Sequence, residues 1–208
     1  MPDRLTARLT GRTLVIATGH DLSLALLEEG ELLAQSHDPM AKGHAEALVP
    51  AIAALLAPFG GSACRCDHVV VETGPGSFTG LRVGLAAARA LALAWDATLS
   101  GIRSTQMVAA EMPGEGRLLV ALEAPRGQIW AEGFQGVARN SVLPPIALTK
   151  TEAETIAQGY EEVAGTARHL LQPGQNITPP RAASLAGLAS RALGPAELLY
   201  VRAAEPTA

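Results

Sequence analysis

The apolar positions along the chain fall into short blocks separated by tight turns. Leu14-Val15-Ile16-Ala17-Thr18 is one run, closed by Gly19-His20-Asp21; Leu22 to Leu27 is a second, closed by Glu28-Glu29-Gly30; Glu31 to Gln35 is a third. Turns this short force neighbours to run antiparallel, so the pattern predicts a three-stranded meander. The period then changes. Between His44 and Leu56, Leu48, Ile52 and Leu55 recur at helical spacing, and Pro58 with Gly60-Gly61 stops the helix. Pro50 inside that segment marks either a kink or a first helical position. Val69-Val70-Val71 predicts a buried strand, and Leu81 to Trp95 a long helix. Thr98 to Ile102 is a further strand, and Ser104 to about Glu111 a further helix.

The long helix has an unusual face. Gly80, Gly84, Ala88 and Ala92 recur every four residues, beside a bulkier edge of Leu81, Leu85 and Trp95. Glycine inside a helix costs about 1 kcal/mol against alanine, which is tolerable where another backbone approaches closely. This face packs either on the chain's own sheet or first helix or, in part, on a partner; with Leu48, Ile52 and Leu55 of the first helix the expectation is a protein–protein contact, helix pair against helix pair.

Pro113-Gly114-Glu115-Gly116 punctuates the chain. Beyond it, Arg117 to Glu123, a Pro125-Arg126-Gly127 turn, Gln128 to Phe134 and Val137 to Val142 repeat the order of the first meander. Glu123 takes the place held by Ala17 in the first copy. Thr151-Glu152-Ala153-Glu154 has capping-box form and opens a helix ending near Gly159. Glu162 to Ala164 reads as a brief strand, Arg168 to Leu171 as a short helix and Asn176 to Pro180 as a loop. Ala182 to Leu193 reads as a helix stopped by Gly194-Pro195, with a loose tail from Ala203. Two lobes follow, residues 1–103 and a shorter 104–208.

Composition narrows the function. The 208 residues are 48% apolar and 17% charged, which excludes a disordered chain, and aromatics at 3% require a core of small aliphatic side chains. A net charge of −4 without a basic stripe means that any nucleic acid is held by a partner. Cys64 and Cys66 read as reduced thiols, and His68 alone does not complete a metal site with them, so no metal is expected. With no basic leader and no run approaching eighteen apolar residues, the expectation is a cytoplasmic protein away from membranes.

The loop Gly74-Pro75-Gly76-Ser77-Phe78-Thr79, leading through Gly80 and Leu81 to Arg82, joins a strand to the long helix. It fits no phosphate-binding template. Gly76 and Gly80 are too close for a Walker loop and Leu81 stands where its lysine belongs; Thr79 replaces the third glycine of a dinucleotide fingerprint. No Gly-x-Ser-x-Gly elbow surrounds Ser77. Ser77 and Thr79 read as helix-capping hydroxyls, and Asp21 and Glu72 as surface or loop carboxylates.

This loop and the helix after it resemble the signature of the TsaB (YeaZ) family, partners in making threonylcarbamoyladenosine next to the tRNA anticodon. Glu123-Ala-Pro-Arg-Gly-Gln-Ile-Trp resembles the family's Asp-Ala-Arg-x-Gly-x-Val-Tyr segment, and Leu198 to Arg202 its Tyr-Leu-Arg ending. The resemblance implies an α/β, actin-like ATPase fold of two RNase H-like lobes, the second abbreviated. It implies a non-catalytic, glycoprotease-like scaffold that binds a TsaD-type enzyme, with a TsaE-type ATPase in the same pathway. It further implies a homodimer when alone, tRNA contact only through the partner, and no tightly bound cofactor, leaving room for ATP or ADP at the partner interface. Two positions depart from the relatives. Family members end the first strand with Asp-Thr, whereas this chain has Ala17-Thr18, and alanine neither binds a metal nor takes a proton. Leu48 stands where the catalytic relative has the second His of a His-x-x-x-His pair with His44. A small-molecule kinase or ATPase of the actin-like superfamily is the second reading, and a metallopeptidase the third.

Overall fold

The computed structural model describes residues 9–172, 178–187 and 193–201. Three strands form the predicted meander: β1 (Arg12–Ala17), β2 (Leu22–Glu28) and β3 (Glu31–Asp38). β4 (His68–Gly74) joins β1 in parallel and β5 (Thr98–Arg103) joins β4, giving the order β3-β2-β1-β4-β5. Side chains alternate across such a sheet. Leu14, Ile16, Val69 and Val71 face one side, which α1 (His44–Leu56) and α2 (Phe78–Trp95) cover with Leu48, Ile52, Leu55 and Leu85. Val15, Ala25, Val70 and Ile102 face the other, under Met107 of α3 (Ser104–Ala110) and Leu185 of a 3-10 segment, Ala182–Gly187.

The second sheet repeats this plan in short form. β6 (Leu118–Glu123), β7 (Ile129–Gln135), β8 (Asn140–Leu148) and β9 (Glu162–Ala164) run in the order β8-β7-β6-β9. α4 (Lys150–Ala157) and α5 (Arg168–Leu171) pack on one face. The strand order matches the first sheet up to the place of β5, where the second sheet stops. The registers also match: Ala17 pairs with Ser23 at the end of β1, and Glu123 with Ile129 at the end of β6. The fold is α/β and actin-like, two lobes with the second abbreviated.

α3 serves both lobes. Met107 enters the first core, whereas Val108 and Ala109 join Leu118, Val120 and Phe134 of the second. At its start Thr105 donates to Glu132, a fully buried carboxylate on β7, which Arg103 also grips at 3.0 and 2.6 Å. Past α5 the chain returns to the first sheet. Ala182 N–H donates to Ser23 Oγ at 3.0 Å, and Gly101 and Gly194 exchange backbone bonds of 2.8 Å.

Several expectations change in detail. β8 begins at Asn140 rather than Val137, because Gly136 to Arg139 forms a turn closed by Arg139 N–H to Gly136 O. It continues through Pro144-Pro145, residues that an edge strand accommodates. The capping box of α4 is Thr149 with Glu152, two residues before the expected Thr151. Pro50 lies within α1. The expected helix from Ala182 is a 3-10 segment as far as Gly187; its remainder over 188–192, the start of the Asn176 loop, Arg202 and the tail lie outside the described residues. Cys64 and Cys66 are buried in the first core, and burial pushes the Cys66 thiol up to about 12. α2 is longer than predicted. By length and composition its 18 residues could cross a membrane, yet its Gly80–Ala92 face is buried against the sheet.

Removing Arg103 leaves the Glu132 carboxylate buried with Thr105 alone. Arg103→Ala should therefore lower stability by about 3 kcal/mol in urea unfolding, the range for breaking a buried ion pair from one side.

Candidate functional site

Thr18 follows β1 directly beneath the start of α2. Its hydroxyl donates to the Gly80 carbonyl at 2.8 Å. A methyl group at Gly80 would come 2.0 Å from the Thr18 carbonyl oxygen, and one at Gly84 would come 2.3 Å from Thr18 Oγ1. The small-residue face of α2 is thus filled by the chain's own β1 end. Gly74, at φ +105, precedes a cis peptide to Pro75, and the backbone of Gly76 lies against Gly19. Ser77 N–H donates to Gly19 O at 2.6 Å, and Ser77 Oγ caps α2 by accepting from Gly80 N–H at 3.3 Å. From the far end of the chain, Leu199 N–H donates to Thr73 O at 2.8 Å. Phe78 and Thr79 are exposed; the Arg82 guanidinium stacks 3.5 Å over Phe78, whose ring also meets Tyr200 at 5.6 Å.

Glu72 sits under this turn. The parallel register of β1 and β4 places it beside Ala17, and it is only 1% exposed, not a surface or loop carboxylate as expected. Its Oε2 accepts from Thr18 N–H at 2.8 Å and Gly19 N–H at 2.5 Å; its Oε1 accepts from Ser104 Oγ at 2.6 Å. His20 Nδ1 stands 3.6 Å from Oε1, within range of charge attraction but just beyond a hydrogen bond. Burial pushes the carboxyl up, but His20, the Ser104 hydroxyl and the Gly19 N–H pull harder, and the net value falls below the ordinary glutamate range. Asp21, partly exposed, pairs with His37 at 3.3 Å. His44 is buried and its Nε2 lies 3.1 Å from His20 O, a structural contact. On its outer side His20 lines a cavity of about 760 Å³ between the lobes, shared with Asp21, His37, Glu123 and Arg181. No group of three metal-binding side chains occurs among the described residues.

The residues expected at a partner contact face inward. Leu48, Ile52, Leu55, Gly80, Leu81, Gly84, Leu85, Ala88 and Ala92 are all buried within the chain, because both helices turn that face to the sheet. The free surface of the pair is the opposite one: Val49 and Ala53 on α1, with Arg82, Ala86, Arg89, Ala90 and Leu93 on α2. Val49 is 66% and Leu93 86% exposed. Helical periodicity finds an apolar face without saying whether a sheet or a partner covers it. The Glu72 cage was missed as well. Its one sequence signal is an acidic residue directly after Val69-Val70-Val71, before the chain leaves the strand.

Two sheets of matching strand order and register, each carrying helices on its faces, give the two-lobed actin-like fold. Residues 37–190 match the family described as TsaD, tRNA N6-adenosine threonylcarbamoyltransferase. The chain is 30% identical to the tRNA threonylcarbamoyladenosine biosynthesis protein TsaB of Bacillus subtilis over 119 residues, 57% of this chain and 52% of that one. It is 32% identical to TsaB of Escherichia coli over 127 residues, 58% and 54% of the two chains. The solved YeaZ structure from Pseudomonas aeruginosa superposes with a TM-score of 0.75 at 22% identity, covering 92% of this chain and all of that one. The chain spans about half the length of the curated relatives it matches. It belongs to the TsaB (YeaZ) family, within the broader TsaD group.

Two outcomes test the site's construction. Gly84→Ala should cost about 2 kcal/mol through overpacking against Thr18 Oγ1. In a Thr18→Ala background that cost should fall, so that the urea-unfolding cycle is non-additive. A carboxyl held below its ordinary value stabilises the fold fully above the unfolded-state value, and that stability is lost as pH falls through the folded value. Glu72→Gln should therefore be less stable at neutral pH and lose less stability on acidification than the parent, followed by thermal melts from pH 7 downward.

Proposed function

We propose that the chain is a non-catalytic subunit in forming threonylcarbamoyladenosine next to the tRNA anticodon, docking a TsaD-type enzyme through the outward face of α1 and α2. The names of the TsaB relatives supply the pathway. The observation that carries the docking surface is the exposed, alanine-rich face with Val49 and Leu93 at its apolar points and Arg82 and Arg89 along α2. Small side chains there allow a partner helix to approach closely, and the two arginines favour an acidic counterpart. The buried residues first assigned to this contact act one step back, by fixing the position of the two helices.

The β1 end supports the non-catalytic reading. Ala17 offers no carboxylate, Glu72 is engaged by backbone and hydroxyl donors, and Asp21 is paired with His37. In this reading a TsaE-type ATPase completes the machinery, ATP or ADP binds at the partner interface, and tRNA is held by the enzyme. Without the enzyme the same face pairs two copies as a homodimer in the cytoplasm. The inter-lobe cavity, with Glu123 on its wall, favours the second reading, a small-molecule kinase or ATPase of the actin-like superfamily.

Size-exclusion chromatography with light scattering, on the chain alone and mixed with the TsaD-type protein of the same organism, separates them. A mixed complex is expected, and Leu93→Arg or Ala90→Glu should abolish it while changing stability by no more than about 0.5 kcal/mol. A monomer that ignores the enzyme and hydrolyses ATP would establish the kinase reading instead.

A further inference from the structure

The second buried glutamate, Glu132, is neutralised by an arginine. Glu72 is built differently: no lysine or arginine forms an ion pair with it among the described residues, and its charge rests on two consecutive backbone N–H groups, one hydroxyl and the edge of an imidazole. Successive N–H groups converging on one oxygen form the kind of nest that proteins use to hold external anions. One oxygen of the carboxylate is served by the nest and the other by Ser104, with His20 Nδ1 3.6 Å from the latter.

We propose that Thr18, Gly19, Ser104 and His20 form a binding site for a small oxyanion, which in this chain is filled by the side chain of Glu72. Thr18, Gly19 and Ser104 have anchors other than Glu72. Thr18 is tied by its own hydroxyl to Gly80, Gly19 by its carbonyl to Ser77, and Ser104 by the packing of α3 between the two cores. Removing the carboxylate therefore leaves a preorganised cage. Of the cage residues His20 also lines the cavity between the lobes, which makes that the side nearest the cage. Glu72 acts as an internal plug that keeps anions of the surrounding solution out of the cleft wall.

Glu72→Ala removes the atoms beyond Cβ, which correspond in size and charge to acetate. The test is a thermal melt of this variant and of the parent in acetate, inorganic phosphate and chloride at equal ionic strength. The variant should start below the parent and recover a large part of the loss saturably in acetate, with chloride inert and the parent unmoved. Phosphate distinguishes the shape of the cage: recovery there as well means that a tetrahedral anion fits, and recovery in acetate alone means a planar carboxylate site. Adding Ser104→Ala to the variant should weaken the acetate response. Equal shifts in variant and parent, or none in the variant, overturn the proposal. Where the variant does not accumulate folded, refolding yield with and without acetate is the readout, and failure to refold in acetate counts against the site. In the unsubstituted chain, carbon NMR of the Glu72 carboxyl should show it ionised to below the ordinary glutamate range; titration above that range overturns the proposal independently.

Discussion

A carboxylate buried without a strong cation has to be satisfied by geometry, and the first lobe is arranged around doing so for Glu72. The uncompensated penalty for such a charge is several kcal/mol. Meeting it requires Thr18 and Gly19 to turn their N–H groups back towards β4 and requires α3 to begin with a hydroxyl at Ser104. Independently of that carboxylate, the Thr18 hydroxyl and the Gly19 carbonyl tie the same β1 end to Gly80 and Ser77 at the start of α2. Thr18 then fills the space that side chains at Gly80 and Gly84 would occupy. The Gly-Pro-Gly turn is the connection short and bent enough to deliver the helix there.

The same logic extends to the second lobe through neighbouring residues. Arg103 and Thr105 hold Glu132, and Ser104 between them holds Glu72. Three consecutive residues at the entrance to α3 thereby tie a buried carboxylate in each lobe to one short helix. α2 divides its labour between two faces. The inward one, made of glycine and alanine, sets how closely the helix lies on the sheet. The outward one, carrying Leu93 and the two arginines, is exposed. A change on the first face alters the packing of the helix, and a change on the second meets solvent in the isolated chain.

Much of the fold was legible in the sequence because tight turns and apolar blocks leave few arrangements. The paired meanders, the extent of α1, β9 and α5 and the correspondence of Ala17 with Glu123 follow from local pattern. The boundaries of β8 and the cap of α4 did not. An edge strand tolerates prolines that the pattern treats as stops, and two overlapping threonine–glutamate pairs both fit a capping box. The candidate site was less legible still. Glu72 satisfies its charge with backbone groups 53 and 54 positions away and a hydroxyl 32 positions away, contacts that no spacing rule reaches. The residues expected at a partner contact are instead buried in the first lobe, against its own sheet. A stripe of small residues signals close approach, and here what approaches is β1.

The central functional claim is that the outward face of α1 and α2 meets a TsaD-type enzyme. Hydroxyl-radical footprinting by mass spectrometry reads it directly, because it reports side-chain exposure residue by residue. In the isolated chain Leu93, Val49 and, in the second lobe, Val137 should all label, at 86%, 66% and 75% exposure. Adding the enzyme should suppress labelling at Leu93 and Val49 and leave Val137 unchanged. Protection of Met40 in the inter-lobe cavity, with Leu93 still fully labelled, would contradict the account.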